Sequence, residues 1–218
     1  MTYSGVVKVG GPADVHELTD LMISKVAVGP MDNNSYLLRC RATDEQLLID
    51  AANDAATLLQ LIGADSIAAV VTTHRHGDHW QALAEVVAAT GARTYAGRDD
   101  AEGVPVPTDV PVEDGDVIRV GRVGLTARHL VGHTPGSIAL VYDDPHGHPH
   151  VFTGDCLFPG GVGNTHQDPA AFASLLGDVE AKLFAVLPDE TWVYPGHGRD
   201  TTLGAERPHL PEWRARGW

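Results

Sequence analysis

The chain has 218 residues, 43% of them hydrophobic and 20% charged, which fits one globular domain over 1–218 and excludes a disordered chain or a coiled coil. Acidic residues outnumber basic ones 29 to 15, and a net charge of −14 repels nucleic-acid phosphate and an anionic membrane face, so neither is expected as a partner. No apolar run reaches the ~20 residues of a bilayer span, and Met1 to Gly11 lacks the basic and apolar blocks of an export signal, so a cytoplasmic protein is expected.

In chain order, short apolar or alternating runs bounded by Gly, Asp or Asn predict strands at Leu21–Val28, Ser35–Arg39 and Gln46–Asp50. Asp54 is placed to cap a helix through Leu61, and the β-branched run Ala68–Thr73 predicts a buried strand. A helix from about His79 to Ala89 follows, ended by Gly91. Val110–Thr126 predicts strands around the turns Glu113-Asp114-Gly115-Asp116 and Gly121-Arg122, and Ser137–Tyr142 and His150–Thr153 predict two more. Pro169 after Asp168 opens a helix with Phe172, Leu175, Leu176, Val179 and Leu183 on one face, before a last strand at Thr191–Tyr194. Two successive groups of strands and helices predict an α/β protein with two sheets packed face to face and helices outside, a four-layer αβ/βα sandwich.

The 12 histidines gather rather than scatter. His74-Arg75-His76-Gly77-Asp78-His79 lies directly after an apolar strand and before a helix. Residues two apart in an extended segment point the same way, so His74 and His76 can converge on one metal while Asp78 and His79, past the Gly77 bend, face another. Three further candidates stand at strand ends: His133 in Gly132-His133-Thr134-Pro135-Gly136, Asp155 in Thr153-Gly154-Asp155-Cys156, and His197 in Pro195-Gly196-His197-Gly198. Imidazole and carboxylate suit zinc at neutral pH, and the glycines let the backbone approach a crowded centre. The expected partition is His74, His76 and His133 on one metal, Asp78, His79 and His197 on the second, and Asp155 bridging both. The expected cofactor is therefore two divalent ions, zinc first, with iron or manganese accepted by the same donors. Water held between such ions ionises near neutral pH and can attack a carbonyl; Asp78 is the catalytic candidate that orients it.

The ordered series His74-x-His76-x-Asp78-His79, His133, Asp155 and His197 resembles that of the metallo-β-lactamase superfamily. The resemblance implies the αβ/βα sandwich with a dinuclear site at one edge between the sheets. Gly132-His133-Thr134-Pro135-Gly136-Ser137, Gly154-Asp155-Cys156-Leu157-Phe158 with Gly160-Gly161-Val162-Gly163, and Gly196-His197-Gly198 are most similar to the glyoxalase II group of hydroxyacylglutathione thioesterases. Hydrolysis of a small-molecule thioester or ester is implied. In glutathione-specific members a basic residue follows the Gly-x-Gly of this loop and a helical C-terminal domain helps hold the tripeptide. Here the loop reads Gly163-Asn164-Thr165 and the chain ends at Trp218, so a smaller thioester is expected. The bridging Asp155 counts against a β-lactamase, and Phe158, without a hydroxyl, against an acyl-homoserine lactonase. The alternative implied from another class is a persulfide dioxygenase-like enzyme with one iron on His74, His133 and Asp155.

Asn164 and His166, beside the glycine loop, are candidate substrate contacts. Asp50 and Thr73 are candidate acceptors for the ligand imidazoles, because a metal-bound histidine needs a partner for its other nitrogen. Asn34, in Asn33-Asn34-Ser35-Tyr36, is near the site by resemblance. Elsewhere His146, His148 and His150 read as an exposed turn, His129 as a strand residue or a partner of a ligand, and His16 and His209 as surface groups. Cys156 is expected to pack behind the site, since adjacent strand residues face opposite ways, and Arg75 to face solvent or pair with a carboxylate. The tail carrying Arg207, Trp213, Arg214, Arg216 and Trp218 is expected to pack on the core.

Overall fold

The computed structural model describes residues 2–65 and 67–217; Trp218, read above with the packed tail, lies outside them. The first half of the chain builds a seven-stranded sheet in sequence order. Its strands are β1 (Asp14–Glu17), β2 (Leu21–Val28), β3 (Asn33–Cys40), β4 (Gln46–Ile49), β5 (Ile67–Thr72), β6 (Arg93–Gly97) and β7 (Val110–Val112), with α1 (Ala55–Ile62) and α2 (Leu83–Thr90) between them. β1 to β4 are antiparallel neighbours, whereas β4 to β7 run parallel, which is where the helical crossovers fall.

The second half supplies β8 (Val117–Val120), β9 (Val123–His129), β10 (Ile138–Tyr142), β11 (His150–Gly154), a small hairpin of β12 (Leu157–Phe158) and β13 (Gly161–Val162), then α3 (Pro169–Val179), β14 (Trp192–Pro195), β15 (Thr201–Thr202), α4 (Leu203–Glu206) and α5 (Leu210–Arg216). Six of these strands form a sheet in the order β15-β14-β11-β10-β9-β8.

Alternation sorts the side chains into layers. Leu38, Leu47, Ile49 and Val71 point into the space between the sheets, where they meet Leu125, Leu140, Phe152 and Tyr194 of the other sheet. Their neighbours Leu37, Leu48 and Val70 point outward to Leu58 and Ile62 of α1 and Leu83 and Val86 of α2. On the far side Val141, Val151 and Val193 receive Phe172, Leu175, Leu176 and Val179 of α3 and Trp213 of α5. Each of these buried apolar side chains contributes about 1.5–3 kcal/mol relative to exposure. The result is the expected αβ/βα sandwich. No helix among the described residues is long and apolar enough to cross a membrane.

The expected cap forms, with Asp54 accepting from Thr57 N (3.3 Å), and Asp168 caps the helix that Pro169 opens, accepting from Ala170 N (2.8 Å) and Ala171 N (3.1 Å). One boundary moves. The helix expected from His79 starts at Leu83, because Gly77–His79 closes a tight 3₁₀ turn with Trp80 N bonded back to Gly77 O.

Candidate metal centre

The candidate residues meet at one edge of the sandwich, each carried there by the end of a strand. β5 runs into His74 to His79, the β9–β10 connection carries His133, Asp155 directly follows β11, and His197 stands two residues past the end of β14. Close backbone approach explains two glycines. A Cβ on Gly196 would collide with Asp155 Oδ1 and His79, and one on Gly154, already at φ 48°, with Thr73 Oγ1.

The donor atoms form three overlapping groups, each within 4.8 Å: His74, His76 and His133; His74, His79 and Asp155; Asp78, His79 and His197. His74 and His79 are fully buried, whereas Asp78, Asp155 and His197 are 17%, 14% and 23% exposed along the side chain, so the cluster opens to solvent on their side.

Four rings are fixed from behind by their Nδ1. His79 Nδ1 meets Asp50 Oδ2 at 2.8 Å, His133 Nδ1 meets Asn164 O at 2.7 Å, and His197 Nδ1 meets Met31 O at 2.9 Å. Thr73 Oγ1 donates to Asp50 Oδ2 (2.8 Å), which leaves its lone pairs to accept from His74 Nδ1 (3.1 Å). Asp50 and Thr73 thus stand where the sequence put them. With Nδ1 donating, each Nε2 turns toward the cluster.

A cation fits this arrangement. The nitrogens His74 Nε2, His76 Nδ1 and His133 Nε2 stand 3.1, 2.9 and 3.2 Å apart, close to the ~3.3 Å edge of a tetrahedron of nitrogens around zinc. His74 and His133 point lone pairs at one another, a contact that hydrogen bonding between the two cannot relieve. His79 Nε2 and Asp155 Oδ1, 3.3 Å apart, are buried without hydrogen-bond partners among the described residues. Buried polar atoms are normally satisfied, so orphans aimed at a common point mark a place for a charge.

The electrostatics follow. Burial and the surrounding imidazoles hold His74 well below the usual histidine range. Burial also acts to lower His79, but Asp50 and Asp155 outweigh it and push the ring up to about 10. Burial raises Asp155, yet the adjacent His79 brings its carboxyl below the ordinary value. A cation bound at His79 Nε2 would have to displace the proton held there.

Several residues were not legible as site residues. Asn33, rather than Asn34, touches the cluster: its Nδ2 donates to Asp78 Oδ2 at 2.9 Å and lies 3.3 Å from His197 Nε2. Asn34 faces the other way and braces the His197 loop through Pro195 O and Gly198 O, both at 2.9 Å. Asp100 joins two loops, accepting from Arg75 N (3.0 Å), Gly136 N (2.9 Å) and Thr134 Oγ1 (2.5 Å). Arg75 itself is half exposed, 3.7 Å from Asp100.

Beside the cluster lies a cavity of about 770 Å³ walled by Phe158 to Thr165, Gln167 and the end of α5. Asn164 lines it; His166 stands outside that wall, exposed, with its ring 6.2 Å from His76. The tail packs as expected through buried Trp213, and it also brings Arg216 to the cavity, where Nη2 donates to Gly160 O at 3.2 Å. Cys156 is buried behind the site, where burial pushes its thiol up.

Two histidines depart from expectation. His146 is exposed and pairs with Asp20, but His150 is buried in β11 with Nδ1 on Tyr194 OH (2.9 Å). His16 is half-buried, not a free surface group, and reaches the same hydroxyl at 2.8 Å. His129 is the strand residue expected of it, at the end of β9, and its Nε2 bonds Pro135 O (2.7 Å), which steadies the loop of His133.

Paired sheets converging on an edge of histidines and aspartates define a metal-binding αβ/βα sandwich. The model of the metallo-beta-lactamase superfamily matches residues 28–197, and the chain belongs to that superfamily. It is 39% identical over 167 residues to a hydroxyacylglutathione hydrolase of Polaromonas sp., covering 76% of this chain and 62% of that protein. The chain thus spans about three fifths of the length of such curated relatives. Among solved structures it is similar to ETHE1 from Myxococcus xanthus (28% identity, TM-score 0.77, 88% of this chain and 84% of that one). It is also similar to TTHA1623 in a di-iron-bound form (33% identity, TM-score 0.68, 84% and 96%).

Proposed function

We propose that the chain is a metal-dependent hydrolase of a small-molecule thioester or ester, similar in activity to hydroxyacylglutathione hydrolase, and that it acts in the cytoplasm as one domain over 1–218. The observation that carries this reading is the set of seven side chains in overlapping donor groups, with four imidazoles anchored through the nitrogen that faces away. His74, His76 and His133 would hold one divalent ion, Asp78, His79 and His197 a second, and Asp155 would bridge them; zinc is the first choice, and the di-iron form of TTHA1623 supports iron as another. Two buried free cysteines, Cys40 and Cys156, suit a reducing compartment.

When bound, such ions polarise a carbonyl and bring the ionisation of water into the neutral range. The chain's own groups then set direction. Asp78, held by Asn33 and partly open to solvent, is the catalytic residue that accepts a hydrogen bond from the attacking water and aims it. Phe158, with its ring 6.4 Å from His197, walls the approach to the cluster and excludes bulk water from the acyl group. Asn164 and His166 are the proposed substrate contacts at the rim. A thiolate leaves without a proton donor, so a thioester needs none from the chain.

The test is metal analysis of protein isolated without oxygen, together with hydrolysis of a panel of thioesters that includes S-lactoylglutathione. Two equivalents of divalent metal and thioester turnover are expected. A second reading rests on a specific contact set: His74 Nε2 and His133 Nε2 are 3.2 Å apart, and Asp155 Oδ2 is 3.7 Å from His133 Nε2, enough to hold one iron in a persulfide dioxygenase-like enzyme. One iron, with oxygen consumed on a persulfide, would replace the hydrolase by that enzyme.

A further inference from the structure

Asn33 opens β3 directly across from His197, with which it forms an isolated antiparallel bridge. It is only 1% exposed, and its Nδ2 stands 2.9 Å from Asp78 Oδ2 and 3.3 Å from His197 Nε2. Those two atoms, with His79 Nε2 at 3.5 Å from Asp78 Oδ2, form one of the donor groups. His197 Nδ1 gives its hydrogen to Met31 O, so Nε2 is an acceptor, as the carboxylate is. An amide nitrogen is a donor with no lone pair to offer, and both of these acceptors lie within hydrogen-bond distance of it. The other group has no counterpart: among the described residues, no side-chain amide or guanidinium hydrogen-bonds to the clustered nitrogens of His74, His76 and His133.

Resting on the two-cation reading above, we propose that Asn33 makes the two half-sites unequal: its amide competes with a cation for the donor atoms of Asp78 and His197, so the half-site of His74, His76 and His133 fills first and the other is the exchangeable one. A lone pair given to a cation is withdrawn from the amide, and hydrogen bonds to charged acceptors are the costlier ones to surrender. The first half-site surrenders no amide hydrogen bond; a cation there replaces only the neutral contacts among three imidazole nitrogens 2.9–3.2 Å apart.

Zinc alone is titrated against a chelator in the full chain, in Asn33→Leu and in Asn33→Ala. The parent should release its two ions in two separate steps. Asn33→Leu should keep the tighter constant and bind the second zinc about tenfold more tightly, equivalent to about 1.4 kcal/mol. A second constant that is unchanged or weaker in a folded variant overturns the role of Asn33, whereas a parent that binds one zinc or none overturns the two-cation reading instead. A measurement on the parent covers the case in which both variants fail to fold. The side-chain amide signals of Asn33 should ignore the first equivalent of zinc and move with the second; movement with the first equivalent overturns the proposal.

Discussion

Two histidine-rich clusters are buried in this sandwich, and the difference between them lies in where the nitrogens and carboxylates point. At the edge, four rings are held by Nδ1 and direct Nε2 at one another and at Asp155, leaving His79 Nε2 and Asp155 Oδ1 without hydrogen-bond partners among the described residues. In the other cluster, His16 and His150 both turn Nδ1 onto the Tyr194 hydroxyl, which can donate to one and accept from the other. Tyr3 stacks on His16 at 4.4 Å and donates to Asp200 at 2.5 Å, and Asp200 takes Lys25 Nζ at 2.6 Å and Trp192 Nε1 at 3.0 Å. These groups close on one another. Buried histidine alone therefore does not mark a metal centre; a shared direction of unpartnered nitrogen and carboxylate atoms does.

The largest effects should come from breaking the open cluster. Asp155→Ala removes the carboxylate common to both half-sites, so hydrolysis should fall by at least about 10⁴-fold, with metal content below two equivalents and an unchanged circular dichroism spectrum. Parent-like turnover in this variant would sink the dinuclear reading. His79→Ala should keep one metal and lose about 10³-fold in rate near neutrality, with the pH–rate profile displaced upward because one cation acidifies water less than two. A profile that does not move, with one metal bound, would put the one-iron alternative ahead.

How far the sequence foretold these clusters depends on whether function or partner choice fixed each residue. The H-x-H-x-D-H series was legible because ligand spacing is written locally, and the apolar strands because both faces of β4 and β5 are buried and leave continuous hydrophobic runs. Asn33 was missed in favour of Asn34 for a reason of parity. Neighbours in a strand face opposite ways, and only the pairing of β3 with β2 and the bridge to His197 decides which one meets the cluster. His16 and His150 were misread because their partner is Tyr194, distant in sequence, and Asp143 to Pro149 look like a turn whose polarity extends one residue too far. The strands β1 and β6 are short and mixed in character, and tertiary pairing rather than propensity makes them strands.

The closed cluster should respond in stability instead of metal content. Lys25 and Asp200 are almost wholly buried, and Lys25→Met leaves Asp200 without its cation. Unfolding free energy should fall by about 3–4 kcal/mol in urea titrations, the cost of breaking a buried pair from one side. Zinc content of the folded protein should hold, because Asn34 still braces Gly198 O beside His197. A loss of zinc without a loss of stability would mean that Lys25 serves the metal edge.

The smallest effect separates the clusters by the sign of their pH dependence. Burial, with His148 and His16 nearby, drives His150 down from 6.5 to about 3, so between those values the unfolded chain takes up a proton that the folded chain refuses. Stability from His150 is thus complete above pH 6.5 and is lost as the pH falls, at about 1.4 kcal/mol per unit. His79 runs the other way. Its ring is lowered by burial but raised on balance by Asp50 to about 10, so the metal-free protein gains from that proton below pH 6.5 and loses the gain as the pH rises toward 10. Urea unfolding of metal-free protein, parent against His150→Phe, isolates the first limb, because acid titration of the carboxylates is common to both. From pH 6.5 to pH 5 the parent should lose about 2 kcal/mol more than the variant. Equal losses would mean that His150 takes up its proton in the folded state as readily as an exposed histidine does, and the contrast between a closed cluster and an open one would then rest on geometry alone.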